Sequence, residues 1–253
     1  GGDDVEKNDD SFRITSSPAD FEKLLNALKK DNFSVINAEL SMKPDNTIDL
    51  DHETAEKLLK ILDFIDEIED VQEAVELISQ SKKPIIYAGE GVLYSDATAE
   101  LLEFVEISNI PVVTTLKAKG AFPENHKLSL GVRGKHTSHF INESDLILSI
   151  GSSLSPGRFS HAIPNSKNKK IIVLNINEDH INKLYKTSHA LVGDAKLALY
   201  ELTKELKNRT SGKGFDEKIS ITEINKQKDL DKEIYEKPMS TSDKPINPYR
   251  VYN

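Results

Sequence analysis

The chain has 253 residues, 37% hydrophobic and 30% charged, so a core of ordinary domain size is available alongside long solvated helices. Its 33 basic and 42 acidic side chains leave a formal net charge of -9, which argues against nucleic acid, whose phosphates call for clustered Lys and Arg. The lack of cysteine excludes disulfides, thiol nucleophiles and thiolate metal sites; no run of 18 apolar residues would cross a bilayer, no signal-peptide pattern opens the chain, and a cytoplasmic protein without membrane partners is expected.

In chain order, residues 18–30 place Phe21, Leu24, Leu25 and Leu28 on one helical face, with Ser17-Pro18 as a start signal. A short strand is expected at 34–36 and a polar connection over 41–52. Helical stripes follow at 53–66 and 71–81. Residues 84–89 then form an apolar run of strand length ending in Gly89. A helix over 96–108 precedes strand-like residues 110–116, and a short helix is expected over 135–144. Further strands are read at 146–151, 171–176 and 190–193, with a closing helix at 195–206. Strands and helices in alternation, with continuously apolar strands, predict an α/β fold: a Rossmann-like open parallel sheet with helices on both faces. Residues 208–246 are rich in Lys, Asp, Glu, Ser and Thr, and read as a linker or surface-hugging tail.

The candidate chemistry lies where strands end, because ligands of open parallel sheets bind at that edge. Gly89-Glu90-Gly91 follows the first sheet strand, where glycines allow backbone amides to approach a phosphate, although Tyr94 occupies the third position of a G-x-G-x-x-G pattern. A tight turn explains the same residues. Gly131, Arg133 and Gly134 form a second loop that opens a helix and offers a cation, and a turn with a solvated Arg explains it equally. Gly151 and Ser152 follow the third strand. Asn175 and Asn177 end the fourth, where acidic residues commonly hold ribose hydroxyls, and Asp194 is equally well placed to cap the last helix. His136 and His139 could share a helix face, but a zinc site calls for more ligands than are near. No catalytic or metal-binding residues are assigned.

Five phrases, in order, resemble the central domain of thiamine-diphosphate enzymes such as acetolactate synthase, pyruvate oxidase and the 2-oxoacid decarboxylases. They are SKKPIIYAGEGV at 81–92, IPVVTTLKAKGAFPENHKLSLGVRG at 110–134, ESDLILSIGSSLS at 143–155, IIVLNINEDHI at 171–181 and ALVGDAKLAL at 190–199. The resemblance implies three parts: residues 1–45 as the end of a pyrimidine-binding domain with its linker, 46–207 as the central domain, and 208–253 as a linker entering a diphosphate-binding domain. It further implies a parent that uses thiamine diphosphate and magnesium, pairs this domain with its remaining domains and forms a homo-oligomer. The G-D-G…N-N metal motif is absent, and the family's catalytic Glu lies upstream of the first residue, so the chain is expected to be an inactive fragment.

In the flavin-using branch the resemblance makes this domain a cradle for FAD, and in another branch for ADP. It puts Gly89, Glu90, Gly91, Thr115, Leu116, Gly131, Arg133, Gly134, Gly151 and Ser152 near the ligand, with Asn175, Asn177 and Asp194 toward the adenosine. The third loop departs from the family's G-A-R-x-D pattern, and Asn175 and Asn177 stand where acids are common. The competing readings are an empty groove, as in the decarboxylases, and a stand-alone nucleotide-binding regulatory or accessory subunit. A sirtuin- or deoxyhypusine-synthase-like enzyme would share the sheet topology but lacks its expected NAD-site patterns here.

Overall fold

The computed structural model describes residues 5–8, 11–15, 44, 47–50, 69–155 and 161–240. The elements expected at 18–30, 34–36 and 53–66, and the terminal stretch 246–253, lie outside the described residues. The chain divides into two compact units, Gly1–Glu69 and Asp70–Asn253.

In the first unit β1 (Val5–Asn8), β2 (Ser11–Thr15) and β3 (Thr47–Leu50) form an antiparallel sheet in that order. The polar connection expected over 41–52 thus contains a strand. Its signal is a short period-two alternation, Ile48-Asp49-Leu50, whose apolar residues register with Ile14 and Phe12 of β2. β3 pairs with β2 within this unit.

The second unit opens with helical residues 69–80 (α1), whose Ala74, Val75 and Ile78 are fully buried. The chain continues through β4 (Pro84–Ala88), α2 (Gly91–Tyr94), α3 (Thr98–Ser108), β5 (Val112–Thr114), α4 (Lys135–Glu143) and β6 (Leu146–Ile150). It ends with β7 (Lys170–Asn175), β8 (His189–Val192), α5 (Ala195–Arg209) and α6 (Ile221–Ser240). The five strands are all parallel, in the order β5-β4-β6-β7-β8. Every residue of β4 and β6 is buried, which is why these strands read as continuous apolar runs. From β4 the chain steps to β5 on one side and then crosses to β6 on the other, so β4 and β6 flank the topological switch point. Right-handed crossovers in opposite directions put α3 and α4 on opposite faces. There α3 packs with α5, and α4 with α6. Among the described residues no helix is long and apolar enough to cross a membrane.

The segment after α5 drapes over this unit. Phe215 donates its amide to Ile107 at 3.0 Å and accepts from the Asn109 side chain at 2.7 Å, closing the end of α3. The Lys218 ammonium donates to the carbonyls of Ile78, Ser79 and Ser81, capping α1. Ile219 and Ile224 are buried and Phe215 and Ile221 pack partly buried against the core, so four apolar residues dock a segment whose composition is that of a linker.

At the amino edge Asp145 ties β6 to the entry of β4. It accepts from the Ser81 hydroxyl, from the Lys82 amide at 2.7 Å and from the Lys83 amide at 2.9 Å. Burial pushes this carboxyl up, but those three bonds outweigh burial and hold its pKa below the ordinary 3.8. A carboxylate held down in this way contributes fully above pH 3.8 and loses its contribution as pH falls below that value. Asp145→Ala should therefore lower the unfolding free energy by about 1.5–3 kcal/mol at neutral pH. The gap from the parent chain should narrow near pH 3, as urea titrations at the two pH values would measure.

Candidate functional site

The carboxyl edge of the sheet divides into a closed part and an open part. The closed part is the switch point between β4 and β6. Gly89 donates its amide to Ile150 at 2.8 Å, Gly91 to Gly151 at 2.9 Å, and Gly151 to Leu174 at 2.9 Å. A Cβ on Gly91 would lie 2.6 Å from the Gly151 Cα, and one on Gly89 would lie 2.6 Å from the Ser152 Cα. Gly151 also has φ +60°, in the left-handed region. These three glycines therefore serve the contact of one loop backbone with another. Their amides, expected to meet a phosphate, are already taken by carbonyls.

The polar residues beside them are engaged in the same way. Asn175, buried, donates to the Ser152 carbonyl at 3.2 Å and accepts the Asn177 amide at 3.0 Å. Asn177 accepts the Asp179 amide at 2.9 Å, and the Ser152 hydroxyl accepts the Leu154 amide at 3.2 Å. Asp194 caps α5, accepting from the amides of Lys196 at 2.9 Å and Leu197 at 3.2 Å. Burial pushes its carboxyl up, but those amides, the Ser95 side chain and the nearby Lys196 charge hold it below its usual range. Glu90 pairs with Lys117 at 3.2 Å. Thr115 donates its amide to Ala88 at 2.9 Å, and its hydroxyl accepts the Ala118 amide at 3.2 Å.

The open part lies on the β5 side. A cleft of about 540 Å³ is lined by Leu116, Lys119, Glu124, Ser129, Gly131, Val132, Arg133, His136 and Lys228. The fold thus brings Leu116, Gly131 and Arg133 together in one cleft and leaves the other candidate residues outside its lining. Gly131 adopts φ +67° where the chain turns after β5; its carbonyl accepts the Thr114 amide at 3.1 Å and its amide donates to the Ser129 hydroxyl at 3.3 Å. Gly134 lies under a buried pair, since a Cβ there would meet the Asp231 carboxylate and, at 2.6 Å, the His136 ring.

That pair fastens α6 to the loop. His136 Nδ1 lies 2.6 Å from Asp231 Oδ2, its Nε2 lies 3.1 Å from the Leu130 carbonyl, and Asp231 is buried. Burial pushes the Asp231 carboxyl up, but the His136 ring and the amides of His136 and Lys135 outweigh it and hold it low. Among the described residues no three His, Asp or Glu side chains are grouped to hold a metal.

Sequence reasoning missed the contribution of α6, because 208–253 reads as a linker by composition. The available signal was Ile224, Lys228 and Asp231, spaced i, i+4, i+7 on one helical face. Adding a methyl at the closed part should be severe. Gly151→Ala combines a left-handed φ with the Gly91 clash and should cost about 2 kcal/mol or more. Gly193→Ala, whose Cβ meets nothing within 4 Å, should change stability little in the same denaturant titration.

Comparisons with known proteins follow the division into units. A family model described as "Thiamine pyrophosphate enzyme, central domain" matches residues 71–202, and one described as "TACO1/YebC second and third domain" matches residues 1–76. The two matches overlap over residues 71–76, next to the Glu69/Asp70 division. The chain is 39% identical over 189 residues to the "probable acetolactate synthase large subunit" of Methanococcus aeolicus, covering 71% of this chain and 31% of that protein. It is 38% identical over 139 residues to the acetolactate synthase large subunit of Corynebacterium glutamicum, covering 53% and 22%. With that of Lactococcus lactis it shares 35% over 160 residues, covering 62% and 27%. It thus spans between 22% and 31% of the length of these relatives. The matched stretch 71–202 is just over half of the 253 residues and contains the whole parallel sheet, and the chain belongs to the family of thiamine pyrophosphate enzyme central domains.

Proposed function

We propose that the second unit is the non-catalytic central domain of a thiamine-diphosphate-dependent enzyme acting on pyruvate or a related 2-oxoacid, with a phosphate-bearing nucleotide, FAD or ADP, at the open part of its carboxyl edge. The observation that carries the reading is the family match over 71–202, joined to relatives described as acetolactate synthase large subunits. Thiamine diphosphate with magnesium does not fit the described residues. They offer no cluster of metal-binding side chains, and the oxygen of Asp194 that follows Gly193 is engaged at the start of α5. No step of that chemistry is assigned to this chain, whose role is to support neighbouring domains and to hold a nucleotide.

The cleft favours an anionic ligand through Arg133, which is exposed and forms no ion pair among the described residues. Leu116, half-exposed beside it, offers an apolar surface for a ring. Gly89, Gly91, Gly151, Ser152, Asn175, Asn177 and Asp194 act in this reading as the frame that holds the edge. An assay of the isolated chain with pyruvate, thiamine diphosphate and magnesium should match a no-protein blank. Calorimetric titration should detect FAD or ADP, and Arg133→Ala should weaken it roughly ten- to a hundredfold, the loss of one charge-assisted hydrogen bond. Turnover above the blank would refute the non-catalytic role; absence of heat with both nucleotides would leave the domain as scaffold alone.

A further inference from the structure

We propose that Lys228 on α6 forms, with Arg133, a two-cation subsite for a phosphate or diphosphate group, so that α6 is a structural part of the ligand site; the location rests on the nucleotide reading above. The polar groups of the cleft can be taken in turn. Lys119 pairs with Glu124 at 3.5 Å, His136 pairs with Asp231 at 2.6 Å, and the Ser129 hydroxyl accepts the Gly131 amide. Arg133 and Lys228 remain, and neither has a carboxylate partner among the described residues. With Glu124 taken by Lys119, Arg133 and Lys228 leave an excess of positive charge in one concave space, which favours an anion there.

The placement of Lys228 follows from the packing of α6. His136 at the start of α4 meets Asp231, whereas His139 approaches Glu223 at 3.6 Å, so the two helices run antiparallel. α6 therefore climbs from the buried anchor of Ile224 toward the carboxyl edge, and Lys228 lies between that anchor and the buried Asp231 on the same face. With both neighbours fixed, the ammonium is held at the cleft. Burial lowers its pKa from the usual lysine value, with no carboxylate to offset the loss of hydration. A bound phosphate would supply the missing counter-charge. Arg133 offers a planar fork and Lys228 a point charge, the pairing suited to adjacent phosphate oxygens.

The test uses the full chain and calorimetric titration with inorganic pyrophosphate, ADP, FAD and adenosine. Lys228→Met should weaken pyrophosphate and the phosphate-bearing nucleotides roughly ten- to a hundredfold and leave any adenosine binding unchanged. Lys228→Arg should retain binding to within about threefold, since it keeps the charge. Lys232→Met, which removes an exposed lysine paired with Glu236 on the same helix, should have no effect. A thermal melt of Lys228→Met matching the parent would show that the helix is still docked, and if it is lost, Lys228→Gln replaces it. Ligand should also raise hydrogen-exchange protection across residues 221–234 in the parent and not in Lys228→Met. If FAD or ADP binds and is indifferent to Lys228, this proposal is overturned and the nucleotide reading stands. If pyrophosphate binds through Lys228 while neither nucleotide binds, the subsite stands and the nucleotide reading falls. Silence from all four probes overturns both.

Discussion

The close approach of Gly91 to Gly151 governs the arrangement of the functional edge. Two loops that leave adjacent strands β4 and β6 are in backbone contact, and the hydrogen bonds from Gly89 and Gly91 extend the strand pairing beyond the strands themselves. Any Cβ at this contact would force the loops apart, and with them the ends of the two central strands. The switch point, where ligands of open parallel sheets commonly bind, is closed as a result. A cleft lies one strand over, beside β5, where Gly131 turns the chain and Arg133 lines the opening.

The edge depends equally on a segment that looks dispensable. After α5 the chain returns along the amino edge, caps α1 through Lys218, closes α3 through Phe215, and rises as α6 along α4. Each attachment supplies a partner to a backbone or carboxylate group that would otherwise be left wanting. Lys169 does the same for α4, donating from a buried position to the carbonyls of Ile141 at 3.1 Å and Asn142 at 2.7 Å. The ends of α1 and α4 are therefore satisfied by lysines from outside those helices, and their loss would leave orphan carbonyls at the strand entries.

These features separate two groups of residues at the carboxyl edge. The glycine contact, the Asn175–Ser152 link and the Asp194 cap connect the ends of β4, β6, β7 and β8. On the β5 side the exposed Leu116 lines a cleft with Arg133 and Lys228, neither of which has a carboxylate partner among the described residues. The residues that maintain the edge thus differ from those that face the cleft.

Much of the second unit was legible in the amino-acid order. Runs such as 84–89, 146–151 and 171–176 are continuously apolar because both faces of a parallel sheet are covered, and the helical stripes between them leave few other folds. The five ordered phrases likewise placed the family from residues alone. The use of the glycines was not legible: Gly89, Gly91 and Gly151 satisfy both a phosphate cradle and a loop contact, and only the distance between β4 and β6 in space distinguishes them. The place of α6 was hidden for a related reason. Its polar composition carries too weak an apolar stripe to announce burial, and Ile224, Lys228 and Asp231 acquire their roles from His136 and Arg133, roughly ninety residues away in sequence. Local periodicity determined which segments became strands and helices; the meeting of distant backbone and charge, which no local pattern encodes, decided which edge of the sheet stayed open.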